Sequence, residues 1–140
     1  MKIFIAASMS FAKEMLKTQK LLEDMGYQAF LAPDTYDCVK NPELNMNDEH
    51  NFKTDIMRAC MNIQEKCDAI LVLNYPKNKI EGYIGAHTLM ELGLAYYLRH
   101  KIFLLYPMPH QNEIRHAQEV MHMRPTILHG DITQLKHHLK

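Results

Sequence analysis

Three short apolar runs, Ile3-Phe4-Ile5-Ala6-Ala7, Ala69-Ile70-Leu71-Val72-Leu73 and Ile102-Phe103-Leu104-Leu105-Tyr106, constrain this chain more than any other feature. Each is too short for a core helix and shows no polar alternation. A run of that kind is a strand with both faces covered, the condition of a parallel sheet. Between the runs the period becomes helical. Phe11, Met15, Leu16, Leu21, Leu22 and Met25 share one face, and Gly26 is placed to stop that helix. Phe52, Ile56, Met57, Cys60, Ile63 and Cys67 form the stripe of a second helix.

The intervening segments complete the pattern. Tyr27 to Leu31 reads as a strand, and residues 32–48, with Pro33 and Pro42, as a long surface loop. Asn74 to His87 is a loop containing Gly82 and Gly85, followed by a helix from Thr88 to about Arg99. Pro107 and Pro109 open another loop; 111–122 read as helix, Pro125 to Leu128 as a last strand and 131–139 as a closing helix. Strict alternation of strand and helix implies right-handed crossovers. The expected architecture is α/β: one domain over residues 1–140, a flavodoxin-like or Rossmann-like three-layer sandwich on a five-stranded parallel sheet. In such sheets ligands sit beyond the carboxyl ends of the strands. That places Ala7–Ser10, Ala32–Thr35, Asn74–His87 and Tyr106–Pro109 around one crevice.

Composition narrows the function. Sixteen Lys and Arg balance sixteen Asp and Glu, so there is no broad basic field for nucleic acid. No apolar run approaches the ~18–20 residues of a membrane span, and the N-terminal run is too short for a signal peptide. The three cysteines, Cys38, Cys60 and Cys67, form no CxxC pair, which fits free thiols in a reducing compartment, with the cytoplasm expected. The nine histidines show neither HExxH nor a Cys/His ligand spacing, so no metal is expected. Cys60 and Cys67 are read as core residues with no base beside them.

The informative stretch runs from Gly82 to Tyr96, where a glycine-containing loop enters a helix bearing Glu91. Thr88-Leu89-Met90-Glu91 also has the form of a capping box, Thr at the N-cap and Glu three residues on, which needs no catalysis. Ser8 and Ser10, after the first strand, would offer hydroxyls and helix N-terminal amides to a phosphate, with capping by Ser10 as the plainer role. Tyr83 and Tyr106 could stack on an aromatic ligand or belong to the core.

Taken together, Lys2–Ala6, Cys67-Asp68-Ala69-Ile70-Leu71-Val72-Leu73 and His87-Thr88-Leu89-Met90-Glu91-Leu92-Gly93-Leu94-Ala95 resemble the nucleoside 2-deoxyribosyltransferase family, from Lys2 to about Pro107. The resemblance implies that Glu91 is the nucleophile at the anomeric carbon of a nucleoside. Its place near a helix N-terminus would favour the ionised form, and a carboxylate suits an oxocarbenium-like transition state. Asp55 matches an acidic residue of the family and would hold a sugar hydroxyl or orient Glu91.

The chain departs from the family pattern at three positions: Gly85 stands where an aspartate is usual, His87 where a glycine is, and Asn74 where a second aspartate is. His87, with a pKa near neutrality, would supply the proton to a leaving base. The resulting expectation is cleavage or transfer of the N-glycosidic bond of a nucleoside or its 5′-monophosphate. Glu91, Asp55 and His87 would be catalytic, and Ser8, Ser10, Asn74, Gly85, Tyr83 and Tyr106 would bind substrate. No metal or organic cofactor is implied, no nucleic acid or membrane partner, and the family resemblance implies a homodimer or larger homo-oligomer. The rival reading is a non-catalytic nucleotide-binding module on the same fold, with Glu91 only a cap. A phosphoribohydrolase resembling the lysine-decarboxylase-like family ranks lower, because its Pro-Gly-Gly-x-Gly-Thr loop is missing.

Overall fold

In the computed structural model, which describes residues 1–139, the strands are β1 (Lys2–Ala6), β2 (Gln28–Phe30), β3 (Ala69–Val72), β4 (Lys101–Leu104) and β5 (Thr126–Ile127). They form one parallel sheet in the order β2-β1-β3-β4-β5. This is the flavodoxin-like doubly wound order, whose direction of winding reverses between β1 and β3.

The two-residue side-chain period of each strand divides the core in two. Ile3, Ile5, Leu71 and Phe103 face one layer with Met15 and Leu22 of helix α1 (Ala12–Asp24). Phe4, Ala6, Ile70, Val72 and Leu104 face the other with Cys60 of α4 (Ile56–Glu65) and Leu92 and Ala95 of α5 (Ala86–Tyr97). Both faces are buried, which is why the strand sequences are apolar throughout. Gly26, at φ 94°, turns the chain out of α1. Gly82, at φ 68°, presses on the Pro107 carbonyl so closely that a Cβ would collide with it. That contact fixes the loop after β3 against the loop after β4.

Several boundaries differ from the sequence reading. Residues 32–48 are not an open loop: α2 (Thr35–Lys40), a 3-10 turn at Leu44–Met46 and the start of α3 (Asp48–Thr54) occupy them. The expected helix over Phe52–Cys67 is two helices, broken at Asp55, which adopts left-handed backbone (φ 45°, ψ 55°). Residues 111–116 are turns, and only α6 (Ala117–His122) is helical there. The closing segment is a 3-10 helix, Ile132–His137. Short elements like these are held by tertiary packing rather than by a periodicity of their own. Among the described residues no helix is long and apolar enough to cross a membrane.

Candidate active site

The capping-box alternative fails on the position of the helix start. Gly85, in extended backbone (φ −80°, ψ 173°), is the N-cap of α5, and its carbonyl accepts from the Leu89 amide at 3.0 Å. Thr88 is therefore already inside the helix, and Glu91 lies in its second turn. Thr88, Glu91, Leu92 and Ala95 make the buried stripe of α5, so the glutamate occupies a place where packing alone would select an apolar side chain. Its carboxyl lines a cavity of about 340 Å³ beyond the carboxyl ends of β1 and β2, at the topological switch point.

Burial decides the protonation of this group. Glu91 is 5 % exposed, and desolvation pushes its carboxyl up to about 8. The helix dipole, expected to favour the ionised form, is outweighed, since its field fades beyond the first turn while burial penalises the charge at full strength. Glu91 thus holds its proton at neutral pH. His87, one turn earlier, places Nε2 3.8 Å from Glu91 Oε2. Burial holds His87 below its ordinary pKa, partly opposed by the charge of Asp34, so the ring is a neutral base. A third reactive side chain sits with them: Cys60, on α4, brings its sulfur within 4.8 Å of ligand atoms of both His87 and Glu91. The expectation that Cys60 has no base beside it is corrected here, because α4 and α5 pack side by side.

The backbone beneath the carboxyl is pinned. Gln64, fully buried on α4, donates from Nε2 to the Glu91 carbonyl oxygen at 2.6 Å. That bond ties the two helices together at the level of the cavity.

Of the other expected residues, Ser8, Tyr83 and Gly85 line the cavity. Ser8 Oγ accepts from Lys77 Nζ at 2.7 Å and lies 3.0 Å from Ser10 Oγ. Ser10 itself is exposed in the 3-10 turn Met9–Phe11 and caps nothing through its side chain. Asn74 is not aimed at a ligand: its amide donates to the Tyr106 carbonyl at 2.7 Å and accepts from the Tyr106 amide at 2.8 Å. It extends the β3–β4 ladder by one side chain. Tyr106 packs on Tyr75 and over Gly130 on the other layer, away from the cavity. Asp55 is also outside it, 59 % exposed and paired with Arg58 at 3.0 Å, because the helix break turns it to solvent.

Four polar lining residues were not singled out from the sequence: Asp34 and Lys77, which lie in the expected crevice loops, and Asn45 and Asn51. Asp34 is the most consequential. It is 6 % exposed; Oδ2 meets His50 Nε2 at 3.1 Å, and Oδ1 is buried with no partner among the described residues. The available signal was its place just past β2, on the side of the sheet where ligands bind.

At the level of sequence, neither a family model nor a curated protein matches the chain. Among solved structures, the fold is that of two nucleoside-processing proteins. The CMP N-glycosidase BcmB of Clostridium botulinum superposes with a TM-score of 0.53 at 17% identity, over 99% of this chain and 100% of that one. A 2-deoxyribosyltransferase of the psychrotolerant bacterium Bacillus psychrosaccharolyticus superposes with a TM-score of 0.52 at 19% identity, over 79% of this chain and 75% of that one. The likeness read from Lys2 to Pro107 is therefore also a likeness of fold.

Proposed function

We propose that the protein cleaves or transfers the N-glycosidic bond of a nucleoside or nucleoside 5′-monophosphate, with Glu91 as the nucleophile. The observation that carries this reading is a carboxyl on the buried stripe of α5, turned to a cavity at the switch point instead of to its own helix amides. The two solved structures of this fold, a glycosidase and a transferase acting on such bonds, support it.

The chemistry follows from the protonation states. Glu91 passes its proton to the neutral His87 ring, a transfer that small side-chain adjustment from 3.8 Å permits. The carboxylate then bonds to the anomeric carbon as the glycosidic bond breaks. The bonding pair leaves with the base, which takes the proton from His87. Water or a second base displaces the sugar from Glu91 and completes hydrolysis or transfer. Positive charge developing on the sugar stabilises the ionised carboxylate, offsetting the cost of its burial. Lys77 beside Ser8 would hold a 5′-phosphate, Asp34 Oδ1 a sugar hydroxyl, and Tyr83 the base. A second copy of the chain is expected against the cavity rim, where Met46 is 81% and Phe52 83% exposed; light scattering during gel filtration tests this.

Incubation with a panel of nucleosides and monophosphates, with free base followed by chromatography, decides the reading. Wild type releases base and Glu91→Gln loses at least about 10³-fold of the rate, with its melting temperature kept. Tight nucleotide binding without base release would assign a binding module instead.

A further inference from the structure

The linear sequence hides a ligand set that the packing of α4 on α5 assembles. Cys60 Sγ, a His87 ring nitrogen and a Glu91 oxygen all lie within 4.8 Å of one another. Tetrahedral ligands at ~2.0–2.3 Å from a zinc-class ion sit about 3.3–3.8 Å apart. The His87–Glu91 pair is already at 3.8 Å, so closure asks about 1.5 Å at most. His87 has room to supply it: its side chain is 43% exposed, in the first turn of α5.

From this geometry we propose that the cavity binds one zinc-class divalent ion through Cys60, His87 and Glu91, with a fourth position open to the cavity. The donor set, one soft sulfur with one imidazole and one carboxylate, selects such an ion over magnesium or calcium. Charge balance suits the dry site. Binding releases one proton from the Cys60 thiol and one from the Glu91 carboxyl to water, and the dication meets one thiolate, one carboxylate and a neutral ring. The complex carries no net charge, whereas either anion alone would be buried uncompensated. Asp34 adds a second buried carboxylate to the same cavity, with Oδ1 unpartnered, an outer hydrogen-bond acceptor for a water on the open position. No lysine or arginine pairs with Glu91 or Asp34 among the described residues. The site stands independently of the glycosidic reading, but it claims the same carboxylate, so a bound ion would exclude nucleophilic attack by Glu91.

Titration of the metal-free protein with Co²⁺ tests the site. The expected result is one equivalent bound, with a near-ultraviolet thiolate-to-cobalt band and intense visible bands of four-coordination, displaced by Zn²⁺. Cys60→Ser should lose the thiolate band. His87→Ala and Glu91→Gln should weaken binding by at least about 10-fold, since even groups supporting a ligand are worth ~10–100-fold. Cys60→Ala, read alongside by melting temperature, separates lost ligation from lost packing. The proposal is overturned if no thiolate band forms, or if the band survives in Cys60→Ser and follows Cys38 or Cys67. These outcomes do not depend on base release; where base is released, Zn²⁺ should suppress it.

Discussion

The two ends of the sheet make opposite kinds of hollow. At the amino ends of β4 and β5 a basin of about 830 Å³ is lined by Tyr96, Tyr97, Arg99, His100, Lys101 and Arg124. At the carboxyl ends a cavity of less than half that volume closes around Glu91, Asp34, Cys60 and His87. Among the described residues the larger hollow has no carboxylate in its lining, and Tyr97, on its wall, is 82% exposed. The smaller one buries two acids. Volume therefore says little about reactivity. What distinguishes the chemical end is desolvation of ionisable groups, which stores a difference between protonation states that a ligand can release.

Substitutions should respect that contrast. The largest effect after loss of Glu91 is expected at its partner: His87→Ala should lower kcat by about 10²–10⁴-fold, the usual worth of a positioned acid-base group. His100→Ala and Lys101→Ala, in the basin, should leave base release unchanged. Equal losses at both ends would erase the distinction.

The pH response is the next effect. Because the folded Glu91 carboxyl titrates at about 8, above the ordinary 4.5, the folded state binds more protons than the unfolded chain between those values. Stability should therefore be full below pH 4.5 as far as this group is concerned, and fall as pH rises toward 8. The base-release rate should fall as pH passes about 8, because the proton that His87 hands to the leaving base comes from Glu91. Melting curves and rates of chelator-treated protein from pH 5 upward check both, and Glu91→Gln should flatten the stability trend.

Gln64→Leu tests the support under the site. Losing the bond to the Glu91 carbonyl should cost about 1 kcal/mol, read from urea unfolding, together with a fall in kcat larger than any change in KM. The smallest effect belongs to Asp55. Asp55→Asn keeps a side chain tolerant of left-handed backbone and loses only an exposed ion pair. Its stability should stay within about 0.5 kcal/mol and its activity should not change.

The legible parts of the molecule are those where one strong local signal meets no competitor. Ala69–Leu73 could only be a doubly buried strand, and Gly26 could only end a helix. Asp34 was obscured because Pro33 and Pro42 made its segment read as loop, whereas Pro33 directly precedes Asp34, the N-cap of a six-residue helix, and Pro42 follows its end. Asp55 was misplaced because one apolar stripe runs through two helices, and nothing in the sequence marks the left-handed turn between them. Tyr106 and Asn74 fell on the predicted crevice loops, yet a side chain's direction there depends on which layer it joins.

The amino-acid sequence by itself determined a five-stranded sheet, the parallel direction of its strands and the presence of Glu91 on a helix entering the ligand end, because hydrophobic period and strand length are local properties. Only the tertiary structure decided the helix start at Gly85, the approach of Cys60 to His87 and Glu91, and the protonation of that carboxyl. Those depend on which helices pack together and on how much water the packing excludes, and neither is encoded at any single position.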